Sequence, residues 1–199
     1  MIAAVVLAAG RGLRFGGDVP KPLLVLGGRP LLAHALDAAR RSECAPVVVV
    51  VSDDQVAAVA PAGVEVVRND EPERGIASSL HAALTALMPR AEIDAAVVGL
   101  ADQPLVGADA YRRLVATYSR GVRLAYATYD GERGNPVLVA REHWSEALEL
   151  SGDEGARALF RRHDAVAVPC DGTGSPDDVD TPEDLANLES RWRSQTASE

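Results

Sequence analysis

The sequence has few cysteines and few aromatic residues. Its two cysteines, Cys44 and Cys170, lie far apart among 199 residues, and neither belongs to a CxxC pair. This spacing argues against a disulfide framework or a structural zinc site. Aromatic residues make up 4% of the chain, while alanine, valine and leucine dominate the hydrophobic 47%. The composition favours a globular domain in which valine- and leucine-rich strands are covered by alanine- and leucine-rich helices.

Long apolar segments and an excess of positive charge are also missing. No apolar run approaches the length that spans a bilayer, and the apolar opening at 1–9 is too short for a secretory signal and lacks its basic start. The sequence therefore predicts a cytoplasmic protein with no membrane partner. The formal net charge of -9 argues against nucleic acid as a partner, because nothing would offset phosphate repulsion. A single nucleotide is still allowed, because it needs only a local cationic pocket and a metal ion.

Apolar runs alternate with amphipathic stretches along nearly the whole chain. Several runs are apolar at every position, which is typical of strands buried on both faces of a parallel sheet. Because strand–helix–strand alternation implies right-handed crossovers, the pattern predicts an α/β fold, a three-layer α/β/α sandwich with a mostly parallel sheet. Strands are predicted at 2–8, 47–52, 64–67, 95–100, 124–128 and 137–140, and helices at 30–41, 76–88, 108–118, 142–150, 154–162 and 182–192.

We expect a single domain over residues 1–199, because no repeat or long linker divides the chain. Residues 130–169 are predicted to be an elaboration of that domain, with a turn or loop at 130–136. The polar tail 191–199 is expected to fray. The four histidines, at 34, 81, 143 and 163, show no ligand spacing, and those at 34 and 81 are predicted to lie on helix surfaces.

The most informative segment is a glycine-rich loop that directly follows the first strand. It reads LAAGRGLRFGG over residues 7–17 and closes at 20–22 with PKP. Glycines let backbone N–H groups approach a ligand, and Arg11, Arg14 and Lys21 add positive charge, so the loop predicts phosphate binding. A P-loop would need Gly-Lys-Ser/Thr, and a dinucleotide fingerprint would need different glycine spacing and a later acidic residue. The nucleotidyltransferase signature matches at every position.

Two aspartates are candidate metal ligands, one directly after a predicted strand and one directly before a predicted helix. Asp102 comes directly after the strand at 95–100, where it could hold Mg²⁺ or merely cap the turn before Pro104. In the second cluster, Thr181 and Pro182 have the pattern of a helix start, which leaves Asp180 as the candidate for a second metal carboxylate. Because ligands of open parallel sheets bind beyond the carboxyl ends of the strands, we expect the loop, Asn69-Asp70 and Asp102 to share one edge.

A third segment, GIASSL at 75–80, enters a predicted helix. Its backbone N–H groups could face a base or a phosphate, or Ser78 and Ser79 could be simple helix caps, and the sequence favours neither interpretation. The two tryptophans, Trp144 and Trp192, are predicted to be packing residues.

The chain resembles the molybdenum-cofactor nucleotidyltransferases of the MobA-like NTP transferase superfamily, in particular the branch similar to CTP:molybdopterin cytidylyltransferase. The resemblance covers nearly the whole chain. It implies a Rossmann-like nucleotidyltransferase fold, and LAAG at 7–10 resembles the cytidylyl type. Beyond the glycine loop it is carried by PKPLL at 20–24, GIASSL at 75–80, GLADQPLV at 99–106, GNPVLV at 134–139, GDEGAR at 152–157 and DVDTPEDL at 178–185.

The resemblance also implies a function for individual residues. A phosphate on molybdopterin would attack the α-phosphorus of Mg-bound CTP, and pyrophosphate would leave. Arg14, Lys21 and Asp102 would be catalytic, and Asp102 and Asp180 would hold Mg²⁺. The nucleotide would contact Leu7, Ala8, Ala9, Gly10, Arg11, Gly12, Arg14, Lys21, Asn69, Gly75 and Ser78. The acceptor would contact Asn135, Pro136, Asp153 and Arg157, and a molybdoenzyme or its chaperone would receive the product.

Two other functions remain open. The link at 17–21 between the loop and its lysine is longer than is usual in that branch and resembles that of methylerythritol-phosphate cytidylyltransferases. The protein could therefore be a nucleotidyltransferase that uses another phosphorylated acceptor or GTP. A non-catalytic nucleotide or cofactor carrier for a molybdoenzyme is the alternative from another class.

Overall fold

A seven-stranded central sheet organises the protein. The computed structural model describes residues 1–10 and 19–196, with side chains through residue 193. The strands of the sheet lie in the order β5-β4-β1-β6-β8-β7-β9, and β2 and β3 form a separate two-stranded hairpin. The strands are β1 (Ile2–Leu7), β2 (Val25–Leu26), β3 (Arg29–Pro30), β4 (Val47–Val51), β5 (Val64–Arg68), β6 (Ala95–Leu100), β7 (Leu124–Tyr129), β8 (Glu132–Ala140) and β9 (Val166–Pro169).

The pairing of the strands confirms a mostly parallel sheet. β1 lies between β4 and β6 and is parallel to both, β4 is parallel to β5, and β7 is parallel to β9. Only β8 runs against its two neighbours among the seven described strands of this sheet. Every residue of β4 is buried, which explains why this strand is apolar at every position rather than at alternate ones.

Helices cover both faces of the sheet, so the predicted three-layer sandwich is confirmed. One face packs against α1 and α4 through side chains such as Leu36 and Leu114. The other packs against α3, α5 and α6 through Leu84, Trp144 and Leu159. The helices are α1 (Leu31–Arg40), α2 (Asp54–Ala58), α3 (Ile76–Leu87), α4 (Ala108–Ser119), α5 (Trp144–Ala147), α6 (Arg157–Arg162) and α7 (Pro182–Thr196).

The predicted loop at 130–136 was wrong over most of its length. Asp130 and Gly131, with φ of 51° and 82°, form a two-residue hairpin turn between β7 and β8. Paired residues resume at Glu132, so β8 begins five residues before the predicted start of the strand. Arg133 and Gly134 obscured the strand pattern, since neither is a strong strand former.

The placement of one histidine needs a correction, and the last helix is longer than predicted. α7 continues to Thr196, beyond the predicted end of the helix at residue 192, and the fraying of the tail stays a prediction. Its Trp192 ring meets the His34 ring edge-on, with 5.0 Å between centroids. His34 is buried rather than on the surface, and its Nε2 lies 2.9 Å from the Leu26 carbonyl oxygen. The contact with a distant helix was not visible in the local periodicity, because α7 is remote in sequence.

In the described part of the chain, no helix combines the length and the apolar character needed to cross a membrane.

Candidate active site

The carboxyl ends of β1 and β6 meet at one edge of the sheet, and the candidate site is built there. β1 leads into Gly10, and β6 leads into Asp102. The segment before α7 is held against β6 because the Val179 N–H donates to the Asp102 carbonyl oxygen at 2.9 Å. This bond brings Asp180, far away in sequence, to the same edge. Lys21 approaches from the opposite side, at the start of a short 3₁₀ turn, Lys21–Leu23.

Lys21 bridges the two carboxylates that the sequence predicted as metal ligands. Its Nζ donates to Asp102 Oδ2 at 2.7 Å and to Asp180 Oδ1 at 2.6 Å. The Lys21 side chain is 11% exposed, against 29% for Asp102 and 47% for Asp180. Three residues separated by up to 159 positions in the chain therefore form one charged cluster. The edge position of Asp102 follows from its strand end, whereas the two ion pairs with Lys21 were not predicted from the sequence.

Among the residues that the structure describes, negative charge exceeds positive charge at this edge. Burial alone would lower the pKa of Lys21, but the charges and hydrogen bonds of Asp102 and Asp180 outweigh it and leave that pKa raised. Partial desolvation and then repulsion by Asp102 raise the pKa of the neighbouring Asp178 carboxyl to about 6. Like charges that repel one another in this way are relieved by a bound cation.

One carboxylate oxygen fits a metal ion directly. Asp102 Oδ1 is buried and has no hydrogen-bond partner in the described residues. A buried acceptor of this kind costs free energy unless it is satisfied, and a divalent cation would satisfy it. Asp102 accepts a hydrogen bond from Lys21 rather than from the backbone of the turn before Pro104, so the capping alternative is not supported. Thr181 does cap α7, through reciprocal hydrogen bonds with Asp184.

A cleft of about 460 Å³ opens beside this cluster. One wall is the end of β1, with Leu7, Ala9 and Gly10, and the opposite wall is the turn that enters α3. Gly75 caps α3 with φ of 85°, so the positive end of this twelve-residue helix faces the cleft. The cleft therefore combines a lysine, a helix N-terminus and two predicted metal carboxylates, which suits an anionic ligand held with a cation.

Three of the residues predicted to contact the nucleotide do not line the cleft, and their side chains have other neighbours. The Ala8 side chain packs between the sheet and α1, because alternate residues of β1 face opposite layers. Asn69 is buried, and its Nδ2 donates to Ser78 Oγ at 2.9 Å and to Ser79 Oγ at 3.0 Å. Ser78 Oγ in turn donates to the Gly75 carbonyl, so Asn69 and Ser78 brace the start of α3. Ser79, rather than Ser78, lines the cleft.

A second, smaller pocket of about 140 Å³ adjoins the cleft, and both are lined by Leu7, Ile76, Leu100 and Asp153. Three of the four residues predicted for the acceptor line it, namely Asn135, Asp153 and Arg157, and Pro136 is not among the lining residues that the structure describes.

The aromatic part of this second pocket was not predicted from the sequence. The Arg133 guanidinium carbon lies 4.0 Å from the Tyr126 ring centroid and 5.5 Å from that of Phe160. Both Arg133 and Phe160 line the pocket. Arg133 was not predicted because it precedes GNPVLV in a stretch predicted as loop, and Phe160 lies in a stretch predicted only to be a helix.

Residues 11–18 lie outside the described part of the chain. The roles predicted for Arg11, Gly12 and Arg14 therefore stay predictions. In the described lining, the four carboxylates of Glu73, Asp102, Asp153 and Asp180 face the single ammonium of Lys21. A triphosphate would need more cations than this, and a divalent ion and the two arginines could supply them.

The fold and the site are those of an α/β protein whose charged cleft lies at the carboxyl ends of β1 and β6. Residues 4–166 match the MobA-like NTP transferase domain, and the chain belongs to that family of nucleotidyltransferases.

Several known proteins are similar over nearly the full length. Nicotine blue oxidoreductase from Paenarthrobacter nicotinovorans is 31% identical over 94% of this chain and 96% of its own length. The crystal structure of Rv0371c from Mycobacterium tuberculosis H37Rv is 31% identical with a TM-score of 0.81, covering 95% of this chain and 97% of that one. A structure of Rv0371c complexed with manganese, at 30% identity and a TM-score of 0.77, covers 95% of this chain and 98% of that one.

Molybdopterin-guanine dinucleotide biosynthesis protein A from Archaeoglobus fulgidus shares the fold alone. It is 18% identical with a TM-score of 0.70, and the match covers 98% of this chain and 100% of that one.

Proposed function

We propose that this protein is a divalent-metal-dependent nucleotidyltransferase that transfers CMP from CTP to molybdopterin and releases pyrophosphate. An oxygen of the acceptor phosphate would form a bond to the α-phosphorus of CTP. The bond from that phosphorus to the oxygen bridging to the β-phosphate would break, and pyrophosphate would carry the electron pair away. Such a transfer needs positioning and neutralisation of charge more than covalent chemistry from the protein.

One observation carries the proposal: Lys21 lies between Asp102 and Asp180 in the lining of the cleft, and the cleft adjoins the second pocket through Leu7, Ile76, Leu100 and Asp153. In this interpretation the Lys21 ammonium donates hydrogen bonds to phosphate oxygens. The Gly75 end of α3 adds backbone N–H groups, and Leu7, Ala9 and Gly10 form the wall along which the nucleotide lies.

Asp102 and Asp180 would hold the divalent ion, which when bound would neutralise charge on the triphosphate. The unpartnered Oδ1 of Asp102 supports this assignment, and so does the excess of carboxylates in the cleft lining. Mg²⁺ is the ion we propose, because it prefers carboxylate, water and phosphate oxygens. The manganese complex of Rv0371c supports a divalent ion without separating Mg²⁺ from Mn²⁺.

The second pocket supports an acceptor that is both anionic and partly planar. Arg133 and Arg157 would attract its phosphate, and the Phe160 ring would pack against its apolar part. Asn135 is tied to the end of β6, because its Nδ2 donates to Gln103 Oε1 at 3.2 Å. The acceptor side is thereby linked to the segment that carries Asp102. A molybdoenzyme that receives the product, or its chaperone, is part of the same proposal.

The test is pyrophosphate release and product mass with molybdopterin and each of CTP, GTP, ATP and UTP, with and without Mg²⁺. We expect turnover with CTP and Mg²⁺, and a fall of at least a hundredfold in kcat for Asp102→Asn. Asp109→Asn is the matched control, because it removes the same charge from an exposed pair with Arg112 on α4. Binding of CTP with no product from molybdopterin would favour another phosphorylated acceptor, and turnover with GTP alone would overturn the nucleotide assignment.

A second candidate function follows from the full-length similarity to a protein named nicotine blue oxidoreductase. The same cleft and aromatic pocket could hold a nicotinamide nucleotide beside a planar substrate. Oxidation of NADH or NADPH with a quinone-like dye as acceptor tests this. Hydride transfer that persists in Asp102→Asn, with no pyrophosphate release from any nucleotide in the wild type, would favour the oxidoreductase. Turnover with a nucleoside triphosphate would favour the transferase.

A further inference from the structure

Two histidines and a glutamate meet on the helical layer beyond the second pocket. His143 ends a short 3₁₀ turn, Arg141–His143, directly before α5, and Glu146 lies inside α5. Their spacing of three residues puts both side chains on one face of the helical segment. His163 follows α6 immediately and comes from a different part of the chain. No ligand spacing was visible in the sequence because His163 lies 17 residues after Glu146.

The potential ligand atoms of this cluster are close together. His163 Nε2 lies 2.6 Å from Glu146 Oε2, and the His143 and His163 ring centroids are 4.7 Å apart. One nitrogen or oxygen from each residue lies within 4.8 Å of the other two. The side chains are 16%, 28% and 37% exposed for His143, Glu146 and His163, so an ion could reach them from solvent.

The backbone holds the cluster in place without a metal. Trp144, next to His143, is fully buried, and its Nε1 donates to the Val139 carbonyl at 3.1 Å. The His163 N–H donates to the Leu159 carbonyl at 2.9 Å, which fixes the end of α6. Zinc coordination would draw the three ligand atoms together from their present separations of up to 4.8 Å to the spacing of about 3.3 Å that a tetrahedral site requires.

We propose that His143, Glu146 and His163 form a site for Zn²⁺ that is separate from the carboxylates of the cleft. Two imidazoles and one carboxylate are a donor set that zinc prefers, whereas Mg²⁺ prefers oxygen ligands alone. The site has three protein ligands and leaves a fourth position for water. It differs from the cysteine-based site that the sequence excluded.

Binding at this site would join α5 to α6. α6 carries Arg157 and Phe160, both in the lining of the second pocket, so zinc would stabilise that wall without touching a substrate. Two neighbours affect binding in opposite directions. The Arg162 guanidinium donates to Glu146 Oε1 at 3.1 Å and competes with a cation, while the Glu142 carboxylate, 3.8 Å from His143 Nε2, attracts one.

The test uses the untagged full-length chain, freed of metal with EDTA and titrated with ZnCl₂ by calorimetry. We expect one Zn²⁺ per chain and, at a hundredfold excess over Kd, a rise in Tm of roughly 5–10 °C. His163→Gln and Glu146→Gln should each weaken binding at least tenfold. Asp102→Asn is the control and should keep the zinc affinity, because its carboxylate belongs to the cleft.

Arg162→Ala distinguishes a metal site from a network of hydrogen bonds. Removing the competing guanidinium should tighten Zn²⁺ binding by roughly two- to fivefold, as the loss of one exposed ion pair allows. The proposal is overturned if the wild type binds no Zn²⁺ at a total concentration of 1 mM. It is also overturned if His143→Gln and His163→Gln bind as tightly as the wild type.

Discussion

Replacing Lys21 with methionine tests how far the lysine charge offsets the repulsion between the two carboxylates of the cleft. Methionine keeps much of the apolar stem and removes the ammonium, so Asp102 and Asp180 are left facing each other. Both oxygens lie within hydrogen-bond distance of the same nitrogen, at 2.7 and 2.6 Å, and are therefore at most two such bonds apart. At an effective dielectric constant of about 20, two like charges about 5 Å apart repel by about 3 kcal/mol.

Solvent reduces this repulsion because Asp180 is 47% exposed. We therefore expect Lys21→Met to lose about 1–2 kcal/mol of unfolding free energy in metal-free buffer, or roughly 2–8 °C in Tm. Mg²⁺ should restore more stability in the variant than in the wild type, because the freed carboxylates no longer share their charge with an ammonium. Turnover should remain low even with Mg²⁺.

Thermal and urea unfolding with and without Mg²⁺ measure both effects. Arg29→Met is the control, since it removes a cation from an exposed pair with Asp37 and should change stability by less than about 0.5 kcal/mol. Equal Mg²⁺ stabilisation of Lys21→Met and the wild type would refute the assignment of Asp102 and Asp180 as a metal pair. The same assignment would be refuted if Lys21→Met were more stable than the wild type in metal-free buffer.

Three further substitutions test the walls and the core. Gly75→Ala should raise the Kd for the nucleotide at least tenfold, because the φ of Gly75 is 85° and a Cβ there would lie 2.5 Å from Asp153 Oδ1. Calorimetry measures this, and an unchanged affinity would mean that the turn does not contact the ligand. Gln103→Ala should raise the KM for the acceptor while the KM for CTP stays constant, because the Gln103 side chain accepts a hydrogen bond from Asn135. Steady-state kinetics in which both KM values change together would contradict this. Trp144→Ala should lower the free energy of unfolding by about 3–5 kcal/mol, as measured with urea, since Trp144 is fully buried. A loss below about 1 kcal/mol would refute its role in the core.

The central layer of the fold could be predicted because its signal is local. In β1, β4 and β6 nearly every residue is buried, so the sequence itself shows the apolar run. The same reasoning located Asp102, because a residue that directly follows a buried parallel strand lies at the ligand edge. Asp180 remained after Thr181 and Pro182 were explained as a helix start, and the structure brings its carboxylate to Lys21.

Contacts between distant segments were the part that could not be predicted. His34 was placed on a helix surface because nothing near it in sequence shows that Trp192 covers it. The family resemblance implied that Asn69 and Ser78 contact the nucleotide. They bond to each other instead, which satisfies a buried amide. Local patterns give the element and its exposed end, but not the partner that a polar side chain finds there.

Lys21 is also the only lysine among the 199 residues. Apart from an α-amino group, the protein therefore has a single primary amine, and that amine lies in the cleft. An acylating reagent followed by intact-mass measurement would report on this one position without any engineered label. The raised pKa and 11% exposure of Lys21 predict slow labelling of the free protein. A change in that rate when a nucleotide or a metal is added would measure occupancy of the cleft directly.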